Sequence, residues 1–240
     1  MTISARNIDF RKLNDRVRMA DADVCIQDCC GQRFIGSGAK CKSITIDGTP
    51  GNALGAYLDG ASIEVNGNAQ DAVGDTMNDG KIIIHGSAGD ALGYAMRGGS
   101  IFVRGDVGYR CGIHMKQYQS KRPVIVAGGK AGSFLGEYLA GGIIIVLGLG
   151  TDETPVGDFT GTGMHGGKIF IRTNRAPEDL PDQVCMSVAT QADLAEIASF
   201  VEAFGAQFHF DAKAIMHDTF YLLKPNAKNP YRQLYVANAF

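Results

Sequence analysis

Four cysteines crowd one short stretch of the 240-residue chain: Cys25, Cys29, Cys30 and Cys41. Thiolates grouped in this way could hold zinc or an iron–sulfur cluster. The spacing fits neither, because no Cys-x-x-Cys pair occurs and the intervals match none of the usual ligand runs. With Cys111 and Cys185 the chain has six cysteines, and reduced, mostly buried thiols are the simpler reading. The other residues with chemistry to offer are His85, His114 and His165, and a scatter of Asp and Asn. No glycine-rich stretch carries the lysine of a phosphate-binding loop. The residues therefore assign no catalytic, cofactor-binding or metal-binding site, and the isolated chain is expected to be colourless and inactive.

The elements that would position any site are set by glycine. The chain has 32 glycines among 240 residues, close to twice the usual share of about 7%. Gly74 and Gly93 are nineteen residues apart in two versions of one phrase, "AVGDTMNDGKIIIHG" and "ALGYAMRGGSIFVRG". The register extends back to Gly55 and Gly36 and forward to Gly112, Gly136 and Gly161, the last two after steps of 24 and 25 residues. Three residues after the last six anchors come Leu58, Met77, Met96, Met115, Leu139 and Met164. Paired Ile and Val residues follow at alternate positions, from Ile44/Ile46 to Ile169/Ile171.

Alternation over so short a run predicts strands with one buried face. A helix plus a strand does not fit into nineteen residues this rich in glycine. The pattern predicts an all-β solenoid: a single-stranded, right-handed parallel β-helix of about seven coils. Glycine belongs where the backbone takes a positive φ or a β-carbon would meet the next coil. The three histidines then fall at different places in their coils. A further column, Asn52, Asp71, Asp90, Tyr109, Ser133 and Asp158, reads as side chains capping their own turns.

An N-terminal cap segment (1–22), the β-helix (23–175) and a C-terminal helical cap with tail (176–240) follow. Asp9 reads as the N-cap of a short helix through Phe10, Leu13 and Val17. Thr190 and Asp193 read as the capping box of a second helix that ends at Gly205, and a third is expected through "DAKAIMHDTFYLL". The final stretch from Lys224 reads as extended. Two insertions break the period. "KQYQSKRPV" carries Lys116, Lys121 and Arg122, and "GTDETPVG" carries Asp152 and Glu153. These five residues are the candidate partner-docking set, expected on one side of the stack about 10 Å apart along its axis.

The formal net charge of −2 and the sequence pI of about 6.2 give no electrostatic footprint for nucleic acid or a membrane surface. The first residues contain no apolar leader, so a cytoplasmic location is the expectation.

Several phrases resemble the C-terminal GXGXG domain of the glutamate synthase large subunit, in its version as a separate subunit. They are "GTPGNALGAYLDG" (48–60), "GNAQDAVGDTMNDGKIIIHG" (67–86), "GDALGYAMRGGSIFVRGDVGYRCGIHMK" (89–116), "GGKAGSFLGEYLAGGIIIVLGL" (128–149) and "VGDFTGTGMHGGKIFIR" (156–172). The resemblance implies a non-catalytic structural subunit of a glutamate-synthase-type oxidoreductase complex, which makes glutamate from glutamine and 2-oxoglutarate. It implies one partner carrying FMN and an iron–sulfur cluster, and another carrying the glutamine amidotransferase site. The same module resembles the β-helix subunit of formylmethanofuran dehydrogenase and a part of N-methylglutamate synthase, so a scaffold in either of those complexes is the alternative. An autonomous carbohydrate-active or acyl-transferring β-helix enzyme would need grouped acids and bases, and no such grouping recurs from coil to coil. A homo-oligomer stays open.

Overall fold

The structure, a computed structural model, describes residues 1–226. The elements run β1 (Thr2–Ser4), α1 (Phe10–Met19), β2 (Val24–Cys30), β3 (Ser43–Thr49), β4 (Asp59–Asn66) and β5 (Asp79–Ile84). They continue with β6 (Ser100–Val103), β7 (Val124–Ala127), β8 (Ala140–Val146), β9 (Gly166–Arg172), β10 (Val184–Val188), α2 (Gln191–Phe208), α3 (Ala212–His217) and β11 (Phe220–Pro225). Strands β1 to β9 pair in parallel in chain order, and the result is a parallel β-solenoid of about eight turns. The extra turn beyond the seven expected begins at β1, a strand inside the expected cap segment. No helix of the described residues is long and apolar enough to cross a membrane.

Equivalent residues stack in register. Ile44, Ile63, Ile82, Ile101, Ile125, Ile144 and Ile169 pair down the main sheet one after another. The insertion before β7 leaves this register intact. These isoleucines, with Leu58, Met77, Met96, Met115, Leu139 and Met164, fill a closed interior. A second side of each coil is a ladder of single parallel bridges through Ala69, Ala88, Val107, Ala131 and Val156.

The third side is a turn with three alternate residues at positive φ, such as Ala91 (54°), Gly93 (70°) and Ala95 (49°). Most of the flanking positions, Ala91 and Ala95 among them, tolerate a side chain because they are partly open to solvent. The central one does not: a β-carbon on Gly93 would lie 2.5 Å from Ile125 Cδ1 of the next coil's strand. Gly36, Gly55, Gly74, Gly112, Gly136 and Gly161 share the positive φ, and each would press on a core side chain 2.4 to 2.9 Å away.

The polar column differs from the expectation. Three of its side chains, Asp71, Asp90 and Ser133, do not cap their own turns; they reach along the stack to the next coil. Asp71 Oδ1 accepts from the Asp90 amide at 3.0 Å and Asp90 Oδ1 from the Tyr109 amide at 2.8 Å. Ser133 Oγ accepts from the Asp158 amide at 3.1 Å. A parallel ladder runs from Asn68 to the Ser87 amide, Ser87 Oγ to the Asp106 amide, and Asp106 to the Lys130 amide. Corner backbone turns away from its own coil, so its free N–H groups face the neighbour and need an acceptor there. The glycine just before each donating amide makes room: a β-carbon on Gly108 would sit 2.2 Å from Asp90 Oδ1.

Asp90→Ala is therefore expected to cost about 1 kcal/mol, and Asp90→Asn, which keeps the acceptor, much less. Denaturant midpoints of the two variants check this, and equal midpoints would remove the ladder's role.

The outer face of the main sheet changes character along the stack. One register column reads Thr45, Glu64, Ile83, Phe102, Val126, Ile145, Phe170. It turns apolar at β5 because α2 lies over the later strands, packing Ile197, Val201, Phe204 and Phe208 onto that face. Asp9 caps α1 and the Thr190–Asp193 capping box opens α2, as read from the sequence. Two other readings are corrected. Helix α2 runs past Gly205 to Phe208 and is closed by His209 at φ 62°. Gly205 serves close approach instead, since its β-carbon would meet Phe210 O at 2.7 Å. The expected third helix stops at His217, and Phe220–Pro225 forms β11. Its alternating side chains split between the two cores, Leu223 in the inner one and Phe220 and Leu222 in the outer one, which only a strand permits. Strand β11 pairs antiparallel with β9 and with β10, closing the last edge of the sheet's parallel run. The extended reading of the tail falls, from residue 227 onward, outside the described residues.

Candidate partner-docking surfaces

The two insertions are not at the same corner. The first precedes β7 and the second follows β8, so in a parallel sheet they occupy opposite ends of the strands. The expectation of one shared side is thereby corrected. It overlooked that the longer step to Gly136 is taken before the strand and the one to Gly161 after it.

Most of the five docking candidates are engaged within the chain. Lys121 turns back onto the stack, with Nζ 3.0 Å from Asp79 Oδ2 and 3.8 Å from Asp59 Oδ1. The hydrogen bond from Lys121, helped by the Gly80 amide, holds the Asp79 carboxyl below its ordinary pKa. Arg122 and Lys168 both clamp Glu196 on α2. Burial disfavours the Glu196 anion, but the hydrogen bonds from Lys168 and Arg122 outweigh it and hold the carboxyl below its ordinary pKa. Arg122 thus ties the helix to the sheet. Glu153 pairs with Lys130 at 2.8 Å on the surface, where such a pair contributes little. Lys116 and Asp152 are exposed.

The turn side carries a surface that the docking set missed. Tyr109 and Phe159 are each 54% exposed, and Tyr57, Tyr94 and His114 are exposed beside the same turns. His114 stacks on Tyr138 with ring centroids 5.1 Å apart, and Phe134 stacks on Phe159 at 4.9 Å. Arg110 lies over Phe134 and bonds Glu137 Oε2 at 2.9 Å. The signal was present in the sequence. Aromatics recur two residues before anchors (Phe34, Phe134, Phe159) and two after (Tyr57, Tyr138). Positions flanking a turn glycine are the ones left at the surface, so aromatics repeated there cannot all be core.

The histidines do not converge. His85 Nε2 is 2.7 Å from Glu64 Oε1, His114 is in the aromatic stack, and His165 Nδ1 is 3.1 Å from Gly163 O. Among the described residues no three His, Cys, Asp or Glu side chains come together as a metal site. Cys29 is buried, and desolvation raises its thiol to about 11; Cys111 is pushed to about 12 for the same reason. Both stay protonated and unreactive near neutral pH. Cys30, Cys41 and Cys185 are exposed thiols and Cys25 is half-buried.

A glycine turn repeated over a parallel stack also has a family signature. The model of the GXGXG motif matches residues 12–226. This chain belongs to the GXGXG family.

A relative lies in Methanocaldococcus jannaschii, the uncharacterized protein MJ1350. It is 42% identical over 250 residues, covering 98% of this chain and 96% of that protein. Among solved structures, a chain of the formyltransferase/hydrolase complex from Methylorubrum extorquens, in complex with methylofuran, superposes with a TM-score of 0.65. The match covers 83% of this chain and 71% of that one at 22% identity. At that identity the likeness shows the fold.

Proposed function

We propose that this GXGXG chain is a non-catalytic structural subunit of a multisubunit enzyme complex, with formyl-group transfer the favoured chemistry of its partners. The observation that carries the reading is the likeness, over most of the chain, to a component of a formyltransferase/hydrolase complex. The side chains support it. Asp71, Asp90 and Ser133 of the polar column that could have lined a catalytic face are spent on backbone amides of the next coil. The exposed aromatics of the turn side suit an interface better than a reaction, since none is joined to a grouped acid and base.

The second reading is the glutamate-synthase-type scaffold, favoured by the phrases at 48–60, 67–86 and 89–116. Its partners would be an FMN and iron–sulfur subunit and a glutamine amidotransferase subunit, with both cofactors off this chain. Affinity purification of the tagged chain from its native cells separates the readings. Formyltransferase- or hydrolase-type chains support the first, and an amidotransferase with a flavin and iron–sulfur chain supports the second. A chain that purifies alone at native concentration, or shows turnover by itself, overturns the scaffold role.

A further inference from the structure

Among the described residues, the turn at 36–40 breaks the repeat's own bonding rule. In the turn of each later coil, the anchor glycine amide donates to a carbonyl one coil earlier: Gly55 to Ile35 at 2.8 Å, Gly74 to Leu54 at 2.8 Å, Gly93 to Val73 at 2.7 Å. The residue four positions on does the same, Asp59 to Ala39 at 3.0 Å, Asn78 to Leu58 at 2.8 Å and Arg97 to Met77 at 2.8 Å. The equivalents in the first coil are Gly36 and Lys40. Neither amide has an acceptor among the described residues. Strand β1 supplies a neighbour for β2, and Leu13 and Val17 of α1 plug the interior, whereas among the described residues no earlier coil supplies acceptors on the turn side at Gly36 and Lys40.

A groove of about 660 Å³ lies at that point, between α1 and the turn at 36–40. Phe10, Val17 and Phe34 supply its apolar lining, and Arg11, Arg18 and Lys40 its charged rim, Lys40 being paired with Asp59 at 2.9 Å. Asp15 is the one acid in the lining and pairs with Arg18 at 2.9 Å. Lys42, also in the lining, is spent on the carbonyls of Val17 and Ala20.

We infer that this groove receives an extended acidic segment of a partner chain, which takes the place of a preceding coil. Its carbonyl oxygens accept from the Gly36 and Lys40 amides, as the carbonyls of Ile35 and Ala39 accept from Gly55 and Asp59 one coil later. Two donors four residues apart on one coil match a polypeptide backbone, whereas a small anion would engage one of them. The rim fixes the sign of the segment's charge. The chain's own residues 227–240 carry Lys228 and Arg232 and no acidic side chain, so charge favours a segment from a partner. The inference rests on the scaffold reading and adds the surface and the partner chemistry.

Amide hydrogen exchange on the full chain, free and in the complex purified from native cells, tests it. The Gly36 and Lys40 amides should exchange quickly in the free chain and slow by about 100-fold in the complex. Gly55 and Asp59 should be protected in both. The double variant Arg11→Glu, Arg18→Glu, both on the exposed side of α1, should keep the parent's melting temperature and lower the captured partner yield about tenfold. Partner capture with Gly36 and Lys40 still exchanging freely, or undiminished capture by a folded double variant, overturns the groove assignment and leaves the scaffold role standing. Absence of any co-purifying chain overturns both.

Discussion

Gly93→Val is expected to lower the melting temperature by roughly 10 °C or to prevent folding. Two costs add. A β-branched residue at φ 70° is strained by about 1–3 kcal/mol. Its β-carbon would also lie 2.5 Å from Ile125 Cδ1 in a core that is already filled, an overpacking of about 1–3 kcal/mol. In a chain of this length each kcal/mol moves the midpoint by about 2–4 °C. The neighbouring coils cannot absorb the shift, because Ile125 is itself fixed by Ile101 and Ile144 in register. Gly60→Ala is the comparison that separates the two costs. Gly60 has φ 110° but nothing within 4 Å of a β-carbon, so it carries the backbone cost alone and should fall much less. A Gly93→Val protein melting within about 2 °C of the parent would mean that the turn glycines are not what sets coil spacing.

The second large effect belongs to Phe204. Its ring is fully buried between α2 and the outer face of β5 to β9, in edge contact with Phe208 at 4.8 Å and stacked with Phe210 at 5.7 Å. It comes so close to the stack that a β-carbon on Gly128 would lie 2.7 Å from its Cζ. Phe204→Ala is expected to cost about 3–5 kcal/mol and to loosen α2 from the sheet. Ile83, Phe102, Val126, Ile145 and Phe170 would then be open to water. Thermal unfolding reads the loss of stability, and binding of a hydrophobic dye together with proteolysis within 189–212 reads the loosening. The interior of the stack lies on the other face of the sheet, so hydrogen exchange in β2 to β4 should stay near the parent value. An unchanged midpoint would show that α2 is held by the Arg122–Glu196–Lys168 clamp and not by its apolar face.

The sequence by itself determined the repeat. Seven glycines at near-constant spacing, the last six followed by a Met or Leu and all by alternating buried apolar residues, admit one arrangement, because period 2 sets the buried face and period nineteen sets the coil. Asp9, Thr190 and Asp193 were legible for the same reason: a cap acts over three or four residues, and so does its signal. What lay between coils was not legible. Asp71 and Asp90 look like local turn caps, and only the stack puts the amide of the following coil within 3.0 Å of each. The swap from Thr45 and Glu64 to Ile83, Phe102 and Val126 was written in the chain, yet its meaning waits on α2, which is far away in sequence and adjacent in space. The same holds for Lys121 and Arg122. As sequence they are an exposed basic insertion; in the structure Asp79, Asp59 and Glu196 claim them. Charge gives a side chain a preference for an opposite partner, but which partner lies within 4 Å is decided by tertiary packing alone. The amides of Gly36 and Lys40, unpartnered among the described residues, are the limiting case: every residue involved is ordinary, and the break in the pattern depends on which side of the stack the preceding segment covers.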